Sequence, residues 1–143
     1  MKRIFLLIIF IVFASCSSDD DAGNVNTTEF ENIKSTLPQG EWKISKFIDI
    51  ETDKTSAFES FVFTFNEDGS VTAQNDLFTE NGIWAYDNTS SNTEELVLQF
   101  SEQVPFDEIN DDYDIVSVSN STVELADESG ENGEIEILTF TKL

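Results

Sequence analysis

The run Phe61-Val62-Phe63-Thr64-Phe65-Asn66-Glu67-Asp68-Gly69-Ser70-Val71-Thr72-Ala73 decides the fold. Phe61, Phe63 and Phe65 share one parity, and Val71 and Ala73 continue on the return strand. A period of two places alternate side chains on opposite faces of a strand. Asn66-Glu67-Asp68-Gly69 reads as a tight hairpin turn, because Gly69 can take the positive φ such turns need.

The same alternation extends in both directions. Trp42, Ile44, Ile48 and Ile50 share one parity upstream, with Lys46 interrupting. Ile83 to Tyr86 follows Asn81-Gly82, and Leu96, Leu98 and Phe100 alternate before Pro105. Asp114 to Val118 and Thr122 to Leu125 flank a second tight turn at Ser119-Asn120-Ser121. Glu134 to Lys142 is the last strand, and its parity switches between Ile137 and Leu138. That switch predicts a bulge or a stretch buried on both faces. About eight strands with short links make antiparallel neighbours, and a meander of that size can close on itself and remove its edges. An open sheet or a sandwich would use the same strands. Ahead of them, Thr27 or Thr28 caps a short predicted helix carrying Phe30, Ile33 and Leu37, which Pro38-Gln39-Gly40 ends.

Composition narrows the function. The 143 residues suffice for one domain. Seven Lys and Arg face 29 Asp and Glu, a formal charge of −22, which excludes a nucleic-acid binder that works by neutralising phosphates. There is no His, the commonest general base and metal ligand, and a single Cys, so no internal disulfide or Cys-based zinc cluster can form. Thirteen Phe and 12 % aromatic residues set the chain apart from disordered acidic sequences and require a folded core. No Gly-x-Ser-x-Gly elbow or Gly-rich phosphate loop is present. A carboxylate pair suited to glycoside hydrolysis has no specificity among so many acids. The expectation is a protein that is not an enzyme and carries no cofactor.

The N-terminus reads as an address. Lys2 and Arg3 precede an unbroken apolar run from Ile4 to Ala14, too short to span a bilayer and suited to a signal peptide. Phe13-Ala14-Ser15-Cys16 closes it and resembles the lipobox of bacterial lipoproteins, in which the Cys is acylated and the signal is cut before it. An ordinary secretory signal cut nearby would leave Cys16 as a free thiol, a redox liability in an exported protein. Two or three acyl chains anchor firmly, so they override the repulsion between an acidic domain and its membrane. Ser17-Ser18-Asp19-Asp20-Asp21 resembles the Ser/Asp-rich export signal of Bacteroidota surface lipoproteins; the bland reading is a solvated acidic tether. The expected organisation is a signal peptide over 1–15, a lipidated flexible tether and short helix over 16–36, and a barrel domain over 37–143. The expected location is the outer membrane, facing outward or, if the acidic run is only a tether, the periplasm.

Four motifs carry a resemblance over about three quarters of the chain. They are Gly40-Glu41-Trp42, Phe61 to Gly69, Gly82-Ile83-Trp84-Ala85-Tyr86, and Leu138-Thr139-Phe140-Thr141-Lys142. In this order they resemble the small lipocalin-like domains of Bacteroidota lipoproteins. The resemblance implies an all-β, eight-stranded antiparallel up-and-down barrel. It also implies that Trp42 packs across the closed end, with a basic residue, here Lys142, covering it. The domain is shorter than a typical ligand-carrying lipocalin, so its own Phe side chains can fill a smaller interior.

Two sets of residues are candidate sites. Trp42, Phe63, Phe65, Trp84 and Tyr86 could line a pocket for a small hydrophobic ligand, or simply form the core. Asp107, Asp111, Asp112 and Asp114 lie in an oxygen-rich stretch after Pro105 that weakly suits Ca²⁺, without the Asp-x-Asp-x-Asp-Gly pattern; a solvated acidic loop is the alternative. The expected function is binding of a small hydrophobic ligand or a partner protein by the barrel, or, if its core is filled, service as a structural or accessory subunit of an envelope assembly. The expected partners are the membrane, through the lipid, and either a small apolar ligand or an envelope protein. Cys16→Ser should release the protein from membranes on fractionation; retention in the membrane pellet refutes the lipid anchor.

Overall fold

The computed structural model describes residues 27–87, 94–128 and 134–143. Its elements are helix α1 (Thr27–Thr36) and strands β1 (Glu41–Asp49), β2 (Thr52–Asp53), β3 (Val62–Phe65), β4 (Ser70–Gln74), β5 (Thr79–Asp87), β6 (Glu95–Gln99), β7 (Asp111–Val118), β8 (Thr122–Asp127) and β9 (Glu136–Lys142). The β3–β4 hairpin forms as its alternation requires, pairing Phe63 with Ala73 and Phe65 with Val71. Gly69 takes φ of 85° and donates its N–H to the Asn66 carbonyl at 3.0 Å. Such a φ suits glycine because it lacks the Cβ that makes this conformation costly.

Each strand from β3 to β9 pairs antiparallel with the next, and β9 returns to β1, from Trp42 opposite Lys142 to Ile48 opposite Ile137. That last pairing closes the sheet. The fold is an all-antiparallel barrel of eight strands with a short N-terminal helix; β2 is a two-residue addition on the end of β1. An open sheet and a sandwich are both excluded by the closure.

The sequence alternation fails at one place for a local reason. Trp42 and Ile44 face inward, but the β1–β9 register slips between Ile44 and Lys46. The additional residue, Ser45, forms a bulge, so Phe47 becomes the next inward residue instead of Lys46. Ile48 is therefore only half-buried, and Ile50 lies beyond the strand at φ of 53° and 49 % exposed. On β9, Leu138 and Phe140 face inward while Thr139, outward, is only 9 % exposed. The parity switch thus reflects burial on both faces, and the bulge sits opposite, on β1. Ser45 ties it down by donating to the Thr139 carbonyl at 3.3 Å and accepting from the Thr141 hydroxyl at 2.7 Å. A second bulge lies in β7 between Ile115 and Ser117. β7 also starts at Asp111, three residues before the start expected from alternation.

Both barrel ends are covered. At the end where β1 begins, Ile33 of α1 and the following Leu37 are fully buried, and the Trp42 indole N–H donates to the Leu37 carbonyl at 2.9 Å. The packed unit therefore reaches back to Ile33. At the opposite end, two 3₁₀ turns, Thr55–Phe58 and Phe106–Ile109, insert Phe58, Phe106 and Ile109 into the same core. Neither turn has a periodic signature. Between the ends, Phe140 meets Phe63 and Phe65 edge-on at 5.4 and 5.3 Å, Phe65 meets Trp84 at 5.9 Å, and Phe58 meets Phe47 and Phe106 at 5.7 and 5.9 Å. This geometry sets the positive ring edge against the negative face and contributes about 0.5–1.5 kcal/mol per pair beyond burial. Trp42→Ala removes a fully buried ring and its hydrogen bond. It should cost about 3–5 kcal/mol in urea-monitored unfolding with an unchanged denaturant slope.

Candidate functional site: the barrel mouth opposite Trp42

The inward rows of four neighbouring strands run from apolar residues to an acid at the same end. β1 carries Phe47 then Asp49, β9 carries Leu138 then Glu136, β8 carries Leu125 then Asp127, and β7 carries Tyr113 then Asp111. Because these strands are adjacent, the four carboxyl groups share one arc of the mouth, and Asp127 pairs directly across from Glu136. The Tyr113 hydroxyl, on a fully buried side chain, donates to the Glu136 carboxylate.

Crowding carboxylates at a half-dry rim disfavours their charge. Burial, reinforced by Asp111, Asp49 and Asp127, pushes Glu136 up to about 7, while the Tyr113 hydroxyl acts in the opposite direction. Burial likewise raises Asp111 to about 6, with Asp127 and Asp112 adding repulsion. The Tyr113 phenol is held protonated far above its ordinary range by burial and by the Glu136 charge. Lys54 partly neutralises the rim, its ammonium lying 2.6 Å from Asp49 and 3.0 Å from Glu108. Those two contacts raise the Lys54 pKa.

The remaining arc exposes apolar side chains among polar ones. Phe78 stacks on Phe106 at 6.3 Å and meets Phe61 edge-on at 6.5 Å, yet stays 41 % exposed. Leu77 beside it is 96 % exposed, held out by a turn in which the Asn75 carbonyl oxygen of the side chain accepts the N–H groups of Leu77 and Phe78 at 2.9 and 2.8 Å. Val104, two residues before Phe106, is 78 % exposed. A groove of about 690 Å³ runs from Leu77 along the outer face of β3 and β4, past Val62, Thr64, Thr72 and Gln74.

The aromatic residues singled out from sequence lie elsewhere. Trp42, Phe63, Phe65 and Trp84 are buried in the core, and Tyr86 faces inward, half-buried. None of the five lines the β3–β4 groove or the smaller groove formed by Ser35, Thr36, Gln39, Asn120 and Lys142. Trp84 works as a strap: its indole N–H donates to the Asn66 carbonyl at 2.9 Å and its backbone N–H to Gly69 at 2.8 Å, which fixes the hairpin against β5. Gly82 is required by close approach, since a Cβ there would stand 2.7 Å from the Gln99 carbonyl oxygen and 2.6 Å from Phe100. The Lys142 ammonium sits 5.8 Å from the Trp42 ring centre, the contact the lipocalin resemblance implies. A Cβ on Gly40 would stand 2.6 Å from Lys142 Cε, so the glycine of Gly40-Glu41-Trp42 leaves room for that lysine.

The acidic stretch after Pro105 is not one loop. Asp107 lies in a 3₁₀ turn, while Asp111, Asp112 and Asp114 lie on β7, Asp111 facing inward and the other two outward. Strand alternation therefore separates them. Among the described residues, no group of three or more acids is arranged to hold a metal ion. Cys16 and Ser17 to Asp21 lie outside the described residues. Sequence reading gave Asp49 and Glu136 no role. Their signal was an acid placed two positions from an inward apolar residue, and it acquires meaning only once the strands are side by side.

No family model matches the chain, and no curated protein matches it. Among solved structures, a DUF4847-family protein from Bacteroides vulgatus is similar at 15 % identity, covering 76 % of this chain and 96 % of that one, with a TM-score of 0.49. A lipocalin-like protein from Bacteroides uniformis is similar at 17 % identity, covering 73 % and 96 %, with a TM-score of 0.46. The barrel itself stands on its own strand pairing.

The acidic arc gives stability a definite pH dependence. Glu136 has an ordinary value of 4.5 and is raised to about 7 in the fold. Its protonated form is thus favoured by folding, so its contribution is complete below about 4.5 and is lost as pH rises through about 7. Glu136→Gln should flatten the fall in urea-unfolding stability over that window, the variant gaining on the parent as pH rises. Parallel curves for the two proteins would refute the assignment.

Proposed function

We propose that the protein is an acylated, non-enzymatic lipoprotein held at the outer membrane through Cys16, with the barrel presented outward as a module for contact with an envelope protein partner. The observation that supports the contact reading over carriage of a small hydrophobe is the state of the interior. Trp42, Phe63, Phe65 and Trp84 pack among the other rings of one core, and both barrel ends are covered by the chain's own side chains. A carrier site would be a concave, mostly apolar cavity lined by such residues. Exposed apolar side chains, Leu77, Phe78 and Val104, instead stand at the mouth on the same turns that carry acidic residues.

Mass spectrometry of the native protein after organic extraction tests this choice. The expected result is no co-purifying hydrophobe beyond the acyl chains on Cys16, and no quenching of Trp42 or Trp84 fluorescence across a panel of lipids. A hydrophobe recovered at one per chain restores the carrier reading, in which Trp42, Phe63, Phe65, Trp84 and Tyr86 line its pocket.

A further inference from the structure

We infer that the mouth opposite Trp42 docks a basic polypeptide segment carrying apolar side chains, its cations set against Asp49, Asp111, Asp127 and Glu136 and its apolar groups against Leu77, Phe78 and Val104. This rests on the contact reading above and specifies the partner's chemistry.

The two arcs form one surface. Phe78 stacks on Phe106, whose 3₁₀ turn also carries Glu108; Glu108 shares Lys54 with Asp49, and Asp49 adds its field to Glu136. Leu77 and Val104, at 96 % and 78 % exposure, are apolar side chains held in water on a protein with ample polar residues to place there. Interfaces of this form gain affinity from a few apolar anchors, and partner choice from the charged surround.

Charge selects the occupant. A second copy would bring another −22 to the same carboxylates. The chain's own Ser17-Ser18-Asp19-Asp20-Asp21 segment is acidic as well, and anionic lipid is repelled. A cationic segment instead lowers the repulsion among Asp49, Asp111, Asp127 and Glu136, on a rim where Lys54 and the Tyr113 hydroxyl are among the donors already present. Because Glu136 and Asp111 lose protons near neutrality, docking strengthens as pH rises past them.

The test uses the full acylated chain in phosphatidylcholine nanodiscs, with anisotropy of three fluorescent synthetic peptides built from Lys and Leu, Lys and Ser, or Glu and Leu, and empty nanodiscs as the blank. The Lys/Leu peptide should bind at least about tenfold more tightly than either control, and Leu77→Ser combined with Val104→Ser should remove about tenfold of that affinity. Asp127→Asn with Glu136→Gln should weaken it comparably, and affinity should rise at least about threefold between about pH 5 and about pH 8. Circular dichroism of each variant establishes that it is folded. Equal binding of the Lys/Leu and Lys/Ser peptides, or no loss in the Leu77/Val104 variant, overturns the proposal in favour of undirected charge attraction. A barrel that is clean by extraction yet fails to bind the Lys/Leu peptide removes this site alone; a co-extracted hydrophobe removes the contact reading instead.

Discussion

The pairing of β1 with β9 is the constraint on which the structure depends. β1 gives β3 only two paired residues, Glu41 and Trp42, but runs beside β9 from Trp42 to Ile48. Without that seam, β3 to β9 would be an open meander with two unpaired edges on an aromatic face, an invitation to association. With it, every inward row faces a shared centre. The seam imposes its own demand: the two strands match only if Ser45 bulges, and the bulge turns Phe47 inward. Phe47 then meets Phe58 from the 3₁₀ turn after β2, so the plug at one end of the barrel depends on the slip in the seam.

Closure also explains how a chain this acidic stays folded. Self-repulsion at −22 opposes compaction, and no disulfide offsets it. The response is a core in which large rings and aliphatic side chains share the interior equally, eleven of the 22 buried hydrophobic residues described being aromatic, with the polar tips of its rings partnered: Trp42 to the Leu37 carbonyl, Trp84 to Asn66, Tyr113 to Glu136. Acids are tolerated where the strands run out of core. There the inward rows of β1, β7, β8 and β9 end in carboxyl groups, two of which hold protons into the range where most carboxylates are ionised. A rim that keeps like charges together while leaving Leu77 and Val104 in water gives up stability that a neutral polar rim would retain.

Much of this was legible in advance. The Phe61-to-Ala73 run specified its hairpin, turn and inward face, and the eight strands followed from repeated short alternations separated by Gly, Asn and Ser. Trp42 and Lys142 were paired through their motif positions, and the structure brings them together. Three things were not legible. A bulge adds a residue without any marker of composition, so Ile48 and Ile50 were assigned to the inward face that Phe47 occupies. The 3₁₀ turns carrying Phe58 and Phe106 are too short for a period. The acids after Pro105 looked like one loop because proximity along the chain is the only proximity a sequence displays.

The sequence by itself therefore determined the local terms: which residues lie in strands, which hairpins turn tightly, which side chains must leave water, and a net charge that excludes nucleic-acid binding through phosphate neutralisation. Those follow from alternation, φ preferences and counting, all short-range or additive. Tertiary structure alone decided which strand closes on which, that the aromatic residues fill the barrel, and that Asp49, Asp111, Asp127 and Glu136 stand beside one another across four strands. The reason is that register and closure depend on residues up to a hundred positions apart finding one geometry together, and no window along the chain contains both partners.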